Sequence, residues 1–279
     1  MAWTWQAVAS RPIGNPITDS HAKGLVVRFD IITLFPELFE PFLKIGITRR
    51  AYESGLVDVR LWNPRDYAEG NYRRVDDRPF GGGPGMVMMS EPLAACLNAI
   101  RADRGQDRAQ APLVLFSPIG ETLRHAAVQR WSESQGAVLL CGRYEGIDQR
   151  FIDMHVDVQI SIGDFVLSGG ELAAMTLLDT VARLQPGVLS DEGSHQFDSF
   201  NPALDGLLDC PHYTRPEQWE GQGVPSALLS GHHVNIERWR RDQRLLLTAR
   251  LRPELIDAAR AASKLTPQDE AVLRGQNSL

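Results

Sequence analysis

The chain has 279 residues, 43% of them hydrophobic, with a formal charge of −6 and a pI near 5.7. That length and apolar content suffice for one large domain or two modest ones with a real core, and the acidic balance does not suggest a nucleic-acid binder, because phosphate contacts usually come from a basic face. No apolar run approaches the ~20 residues of a membrane helix, residues 1–24 lack the pattern of a secretory signal, and three scattered cysteines (Cys96, Cys141, Cys210) form neither a disulfide framework nor a zinc motif. These features predict a cytoplasmic globular protein with no membrane association, preceded by a disordered extension over 1–24.

From residue 25 short apolar runs alternate with helical patterns, the signature of an α/β domain with a largely parallel sheet. Strands are expected over 25–35, 56–62, 112–116, 137–141 and 156–160, and helices over 36–43, 90–104, 121–133 and 168–184. The last helix has capping-box spacing in Ser168 and Glu171, with Pro186 and Gly187 just past its end. Residues 187–206 turn rich in Gly, Ser, Asp and His, as expected of a mobile connection between a domain over 25–186 and a small helical domain over 207–279. In the second domain six arginines (Arg238, Arg240, Arg241, Arg244, Arg250, Arg252) stand against one acid, Asp242. Such a run is either a solvated helix face or a local phosphate-contacting surface.

Phosphate-loop, dinucleotide, zinc-protease and nucleophile-elbow motifs are missing from the sequence. What remains is a set of glycine-rich loops, two of them directly after expected strands, where open α/β sheets bind ligands. Residues 76–86 combine charges with four glycines, either a backbone-first ligand loop or a flexible surface linker. Residues 141–148 are either a ligand loop at a strand's carboxyl end or an ordinary turn in which Arg143 and Glu145 pair with neighbours. Residues 161–171 lead into the capped helix, as a small-molecule loop or as a helix entry needing glycine for close packing. Three such loops in one domain favour one shared pocket. Arg183 and Asp198, taken singly, read as a helix-end cation and a loop acid.

The strings ITLFPELF (32–39), NPRD (63–66), VDDRPFGGGPGM (75–86), LCGRYEGID (140–148), SIGDFVLSGGELAAMTL (161–177), LLDCPHYTRP (207–216) and LLSGHH (228–233) resemble the tRNA (guanine-37-N1)-methyltransferase family of the trefoil-knotted SPOUT class. The resemblance runs from about residue 25 almost to the end. It implies a knotted parallel-sheet domain, a rare exception to unthreaded topology, followed by the helical domain. It further implies S-adenosylmethionine as methyl donor, a tRNA with guanine at position 37 as substrate, a homodimer whose active site draws on both protomers, and dependence on Mg2+ at an unknown site.

Carried over residue by residue, the family pattern sets the donor against Leu115, Phe116, Gly142, Tyr144, Ile162, Gly163, Asp164, Phe165, Val166 and Leu167, with Gly169 and Gly170 closing the knot. It assigns Asp198 as general base and Arg183 as its electrophilic partner, with Glu145 and Asp76 as further active-site acids. Arg238, Arg240, Arg241 and Arg244 become candidate RNA contacts. Phe165 replaces a tyrosine common in the family, Asn201 to Asp205 is slightly longer than usual, and residues 1–24 have no counterpart.

Overall fold

A computed structural model describes residues 26–105, 111–190 and 195–276; the extension expected over 1–24 lies outside them. In chain order the first domain holds β1 (Val27–Ile32), α1 (Phe39–Lys44), α2 (Arg49–Glu53), β2 (Val57–Trp62), β3 (Asp76–Asp77), β4 (Val87–Met88), α3 (Ser90–Arg104) and β5 (Leu113–Thr122). There follow α4 (His125–Ser132), β6 (Gly136–Leu140), β7 (Gly146–Ile147), α5 (Gln149–His155), β8 (Val158–Ser161) and α6 (Glu171–Ala182). The second domain holds a short hairpin, β9 (Gln218–Trp219) and β10 (Gln222–Gly223), then α7 (Ser226–Leu229), α8 (His233–Leu251), α9 (Pro253–Ala261) and α10 (Pro267–Gln276).

The main sheet is wholly parallel in the order β2-β1-β6-β5-β8. Alternation along β1 explains the layers. Val27, Phe29 and Ile31 join one core with Leu177, Leu178 and Val181 of α6, and Ile32 joins a second core with Leu93, Leu97 and Ile100 of α3. The charged residues of β1 are buried as well. Asp30, fully enclosed, accepts hydrogen bonds from Arg28, Arg104 and the Trp62 indole, so its charge is compensated inside the fold. A small second sheet, β3-β4-β7, lies beside the carboxyl end of β6.

Two sequence expectations need correction. The helix expected over 121–133 starts only at His125, because Glu121 and Thr122 pair with Ile160 and Ser161 and prolong β5 past a bulge. The capping box does not form: the N-cap of α6 is Gly170, without a side-chain cap bond, and Glu171 is turned to other partners described below. The helix expected over 90–104 matches α3 at both ends.

Of the connection expected to be mobile, residues 191–194 lie outside the described residues. The part that follows is tightly bonded: Asn201 donates to the His195 carbonyl and accepts from the Ala203 amide, and the Phe200 amide donates to the Leu207 carbonyl. The second domain packs Leu207, Leu245, Ile256, Ala259 and Leu273 into its own core. Three of its arginines are engaged by acids from elsewhere in the fold. Arg238 pairs with Asp242 and Asp269, Arg241 with Asp205 and Asp269 at 2.7 and 3.1 Å, and the buried Arg244 with Asp209 at 3.4 Å. Arg240, bonded to Glu237, is the most exposed of the four. Among the described residues no helix is long and apolar enough to cross a membrane.

Asp269 ties these helices together. Burial alone would raise its pKa, but Arg241 and the amide and hydroxyl of Thr266 outweigh burial and bring it down to about 2. A depressed carboxyl stabilises the fold above its unfolded pKa of ~3.9 and loses that contribution as pH falls through the folded value. Asp269→Asn is therefore expected to cost roughly 2 kcal/mol at neutral pH and to flatten the stability profile between about pH 4 and 2, as measured by thermal unfolding across pH.

Candidate active site

β5 leaves its register with β8 between Phe116 and Glu121, and the residues between bulge away from the ladder. The bulge, the loop after β6 and the loop between β8 and α6 enclose a cavity of about 300 Å³ at the carboxyl ends of three parallel strands. Leu115, Phe116, Gly142, Tyr144, Ile162, Gly163, Phe165, Val166, Leu167, Gly169 and Gly170 all line it. Of the expected donor contacts only Asp164 does not. Glycine backbone on one side and the apolar side chains of Leu115, Ile147 and Ile160 on the other suit a ligand with a flat apolar ring and polar edges.

Close approach of two backbone segments shapes this cavity. The Gly170 amide donates to the Gly142 carbonyl at 3.0 Å, and a Cβ on Gly170 would stand 2.7 Å from the Cys141 Cα. Behind the loop, the buried Glu171 carboxylate accepts from the Thr33 hydroxyl at 2.9 Å and from Arg143 Nε at 3.1 Å. Arg143 also donates to the Ser168 carbonyl and lies over the Phe35 ring at 4.4 Å. One carboxylate thus joins the ends of β1 and β6 to the start of α6, and Arg143 is the neighbour-pairing residue that the sequence left open.

The small sheet carries the acids to the cavity's rim. Glu145 lines the cavity and its amide donates to the Met86 carbonyl. Its side chain lies so close to Gly85 (φ +74°) that a Cβ there would meet Glu145 Cγ at 2.4 Å. Tyr144, itself left-handed at φ 61°, receives a hydrogen bond from Arg65 at 3.3 Å. Burial, then hydrogen bonding and charge from Asp76, raise its hydroxyl pKa. Gly81 to Gly85 do not line the cavity, so the shared-pocket expectation holds for two loops and not for the third.

Arg183, the C-cap of α6, donates to Asp198 at 2.5 Å, each side chain about a third exposed. Neither lines the cavity. Sequence reasoning missed His125 at the start of α4. Burial pushes its pKa below the ordinary value, and Asp198, Arg183 and His195 act on it electrostatically. It also missed Ser117 and Pro118 of the bulge, for which Pro118 after an apolar strand was an available signal, and Ile147, Ile152 and Ala173, which read as ordinary core. Among the described residues no three carboxylate, imidazole or thiol groups converge on a point, so those present do not form a magnesium cage.

A parallel α/β sheet whose strand ends and glycine loops enclose one polar-edged cavity, with a separate guanidinium–carboxylate pair, defines a small-molecule-dependent enzyme domain. The family described as tRNA (Guanine-1)-methyltransferase TrmD matches residues 27–258. A protein of Paracidovorax citrulli (strain AAC00-1) is 74% identical over 254 residues, which is 91% of this chain and 100% of that protein. One of Polaromonas sp. (strain JS666) is 74% identical over 248 residues, 88% of this chain and 96% of its own. One of Bordetella pertussis (strain Tohama I) is 54% identical over 248 residues, again 88% and 96%. All three bear the name tRNA (guanine-N(1)-)-methyltransferase. The chain belongs to the tRNA (guanine-1)-methyltransferase family.

Two glycines of the cavity separate packing from ligand space. At Gly142 a Cβ would make ordinary contact with the side chains of Ile147, at 3.4 Å, and Leu115, at 3.9 Å, beside the cavity. Gly142→Ala is expected to fold normally, whereas Gly142→Val fills the cavity and weakens donor binding at least about tenfold by calorimetry. Gly170→Ala strikes backbone and should cost about 1–3 kcal/mol in denaturant unfolding.

Proposed function

We propose that the chain acts in the cytoplasm as a homodimer that methylates N1 of guanine 37 in tRNA, using S-adenosylmethionine. The observation that carries this reading is the span of α6. Its start adjoins Gly169 and Gly170 at the cavity, and its C-cap is Arg183, which holds Asp198. Twelve residues at 1.5 Å each make the helix ~18 Å long. A rigid rod of that length sets Arg183 at the far end from its own chain's cavity, which supports a site completed by the Arg183–Asp198 pair of a second copy. Phe35, Leu38 and Leu172, exposed on segments joined by the Thr33–Glu171 bond, offer apolar surface for that contact.

The donor supplies a methyl group on a sulfonium centre, and the cavity residues hold it. Guanine N1 carries a proton that must leave as the new bond forms, so a positioned base is required. Asp198 takes that proton. As it leaves, negative charge develops on the neighbouring O6, and the fixed guanidinium of Arg183 stabilises it. Before guanine arrives the charge-assisted contact between the two keeps the carboxylate oriented while leaving it reachable. Asp76 in β3 and Glu145 just before β7 are acceptors suited to the N–H groups of guanine's pairing edge. The trefoil threading that the resemblance implies accords with the packing of Gly170 on Cys141 and Gly142. Phosphate contact in the second domain falls to Arg240, whose pairing with Glu237 leaves it more exposed than Arg238, Arg241 and Arg244.

Labelled methyl transfer should occur to a transcript with guanine at positions 36 and 37 and not to one with adenine at 37, with the product mapped to N1. Asp198→Ala and Gly142→Val should each abolish turnover, the first with donor binding intact. Mixed and re-equilibrated in equal amounts, they should recover about a quarter of wild-type activity, because half the dimers then hold one complete site. A dimeric mixture that stays inactive would refute the shared site.

A further inference from the structure

The glycine run that the donor cavity leaves unused belongs to an arm with an unusual surface. Phe80 is 100% exposed and Tyr72 88% exposed, the two most exposed aromatic side chains among the described residues. A phenyl ring wholly in solvent contributes nothing to the core, so its presence calls for something that covers it in another state. Both rings sit on turns that frame β3, Tyr72 in the turn at 70–73 and Phe80 in the turn at 80–81. The Met88–Asp76 and Met88–Ile147 pairings fix the base of this arm to the cavity's rim. At its other end Gly85 lies against the Glu145 side chain. The arm also carries guanidinium groups: Arg73 and Arg74 bond Asp66 and Asp77 at 3.2 and 3.0 Å, but each remains more than half exposed.

Exposed aromatic faces flanked by surface arginines are the chemistry of single-stranded nucleobase binding, in which unstacked bases lie on rings while guanidinium groups meet the backbone. We infer that Phe80 and Tyr72 form a stacking platform for unpaired nucleotides of the RNA substrate next to the methylated guanine, holding the loop open over the cavity. The platform rests on the proposed RNA substrate and assigns it two positioning residues. Four arginines (65, 73, 74, 78) and four acids (66, 69, 76, 77) fall within 65–78, so stacking rather than net charge must supply the attraction. The aromatic rings are accordingly the residues to test.

The test is equilibrium binding of a fluorescent anticodon stem-loop RNA to the intact protein without donor, as a function of salt. Phe80→Ala and Tyr72→Ala should each weaken binding about tenfold with an unchanged slope of log affinity against log salt. Phe80→Trp and Tyr72→Phe should bind like wild type. Arg74→Ala should instead flatten the salt slope. Because both rings are exposed, the alanine variants should keep the wild-type melting temperature, dimeric state and donor affinity. Unchanged RNA affinity in both alanine variants would overturn the platform, as would dissociation of the dimer, which would make the rings protein contacts. Wild-type protein that binds the stem-loop but methylates no guanine 37 would defeat the proposed function alone, and the ring variants would still decide the platform.

Discussion

The molecule depends on one close backbone contact. The segment that leaves β8 returns to lie against the end of β6, the Gly170 amide bonded to the Gly142 carbonyl at a separation only glycine allows. That approach gives the cavity two facing walls of main chain, sets where α6 starts, and brings Glu171 into the interior. A carboxylate buried there is tolerable only because the Thr33 hydroxyl and the Arg143 guanidinium meet it. The same contacts thereby fix the loop, the helix start and the end of β1 as one unit. Cavity and helix direction follow from a single packing solution.

Much of this was legible in advance, for identifiable reasons. The central strands β5 and β6 carry continuous apolar runs over 113–116 and 137–140 because a parallel sheet covered on both faces needs them, and α3 ends at the ordinary helix stop of Gly105. The two cavity loops stood out because glycine and polar residues follow such strands at their carboxyl ends. The extension of β5 was not legible. Glu121 and Thr122 have no apolar alternation, and they enter the sheet only because β8 offers partners beyond the bulge. Ser168 and Glu171 had the right spacing for a cap, but spacing cannot reveal partners that come from residues 33 and 143.

The arginine-rich helix teaches the same lesson in charge. Counted from residue 238 to 252 six arginines face one acid, yet in the fold Asp205, Asp209 and Asp269 arrive from other segments and engage Arg238, Arg241 and Arg244. A run of like charge in sequence is therefore compatible with a nearly neutral interface in space. The roles proposed for Arg183 and Asp198 lay beyond periodicity and composition altogether; only the resemblance singled them out, and their mutual contact spans a connection that local patterning could not trace.

α6 also acts as a ruler between two chemical stations. Each residue added to or removed from an α-helix advances its end by 1.5 Å and turns it by about 100°. A single insertion between Gly170 and Arg183 would swing the guanidinium to a different side of the rod while leaving the cavity untouched. Length changes in this helix are thus confined to near-whole turns compensated elsewhere.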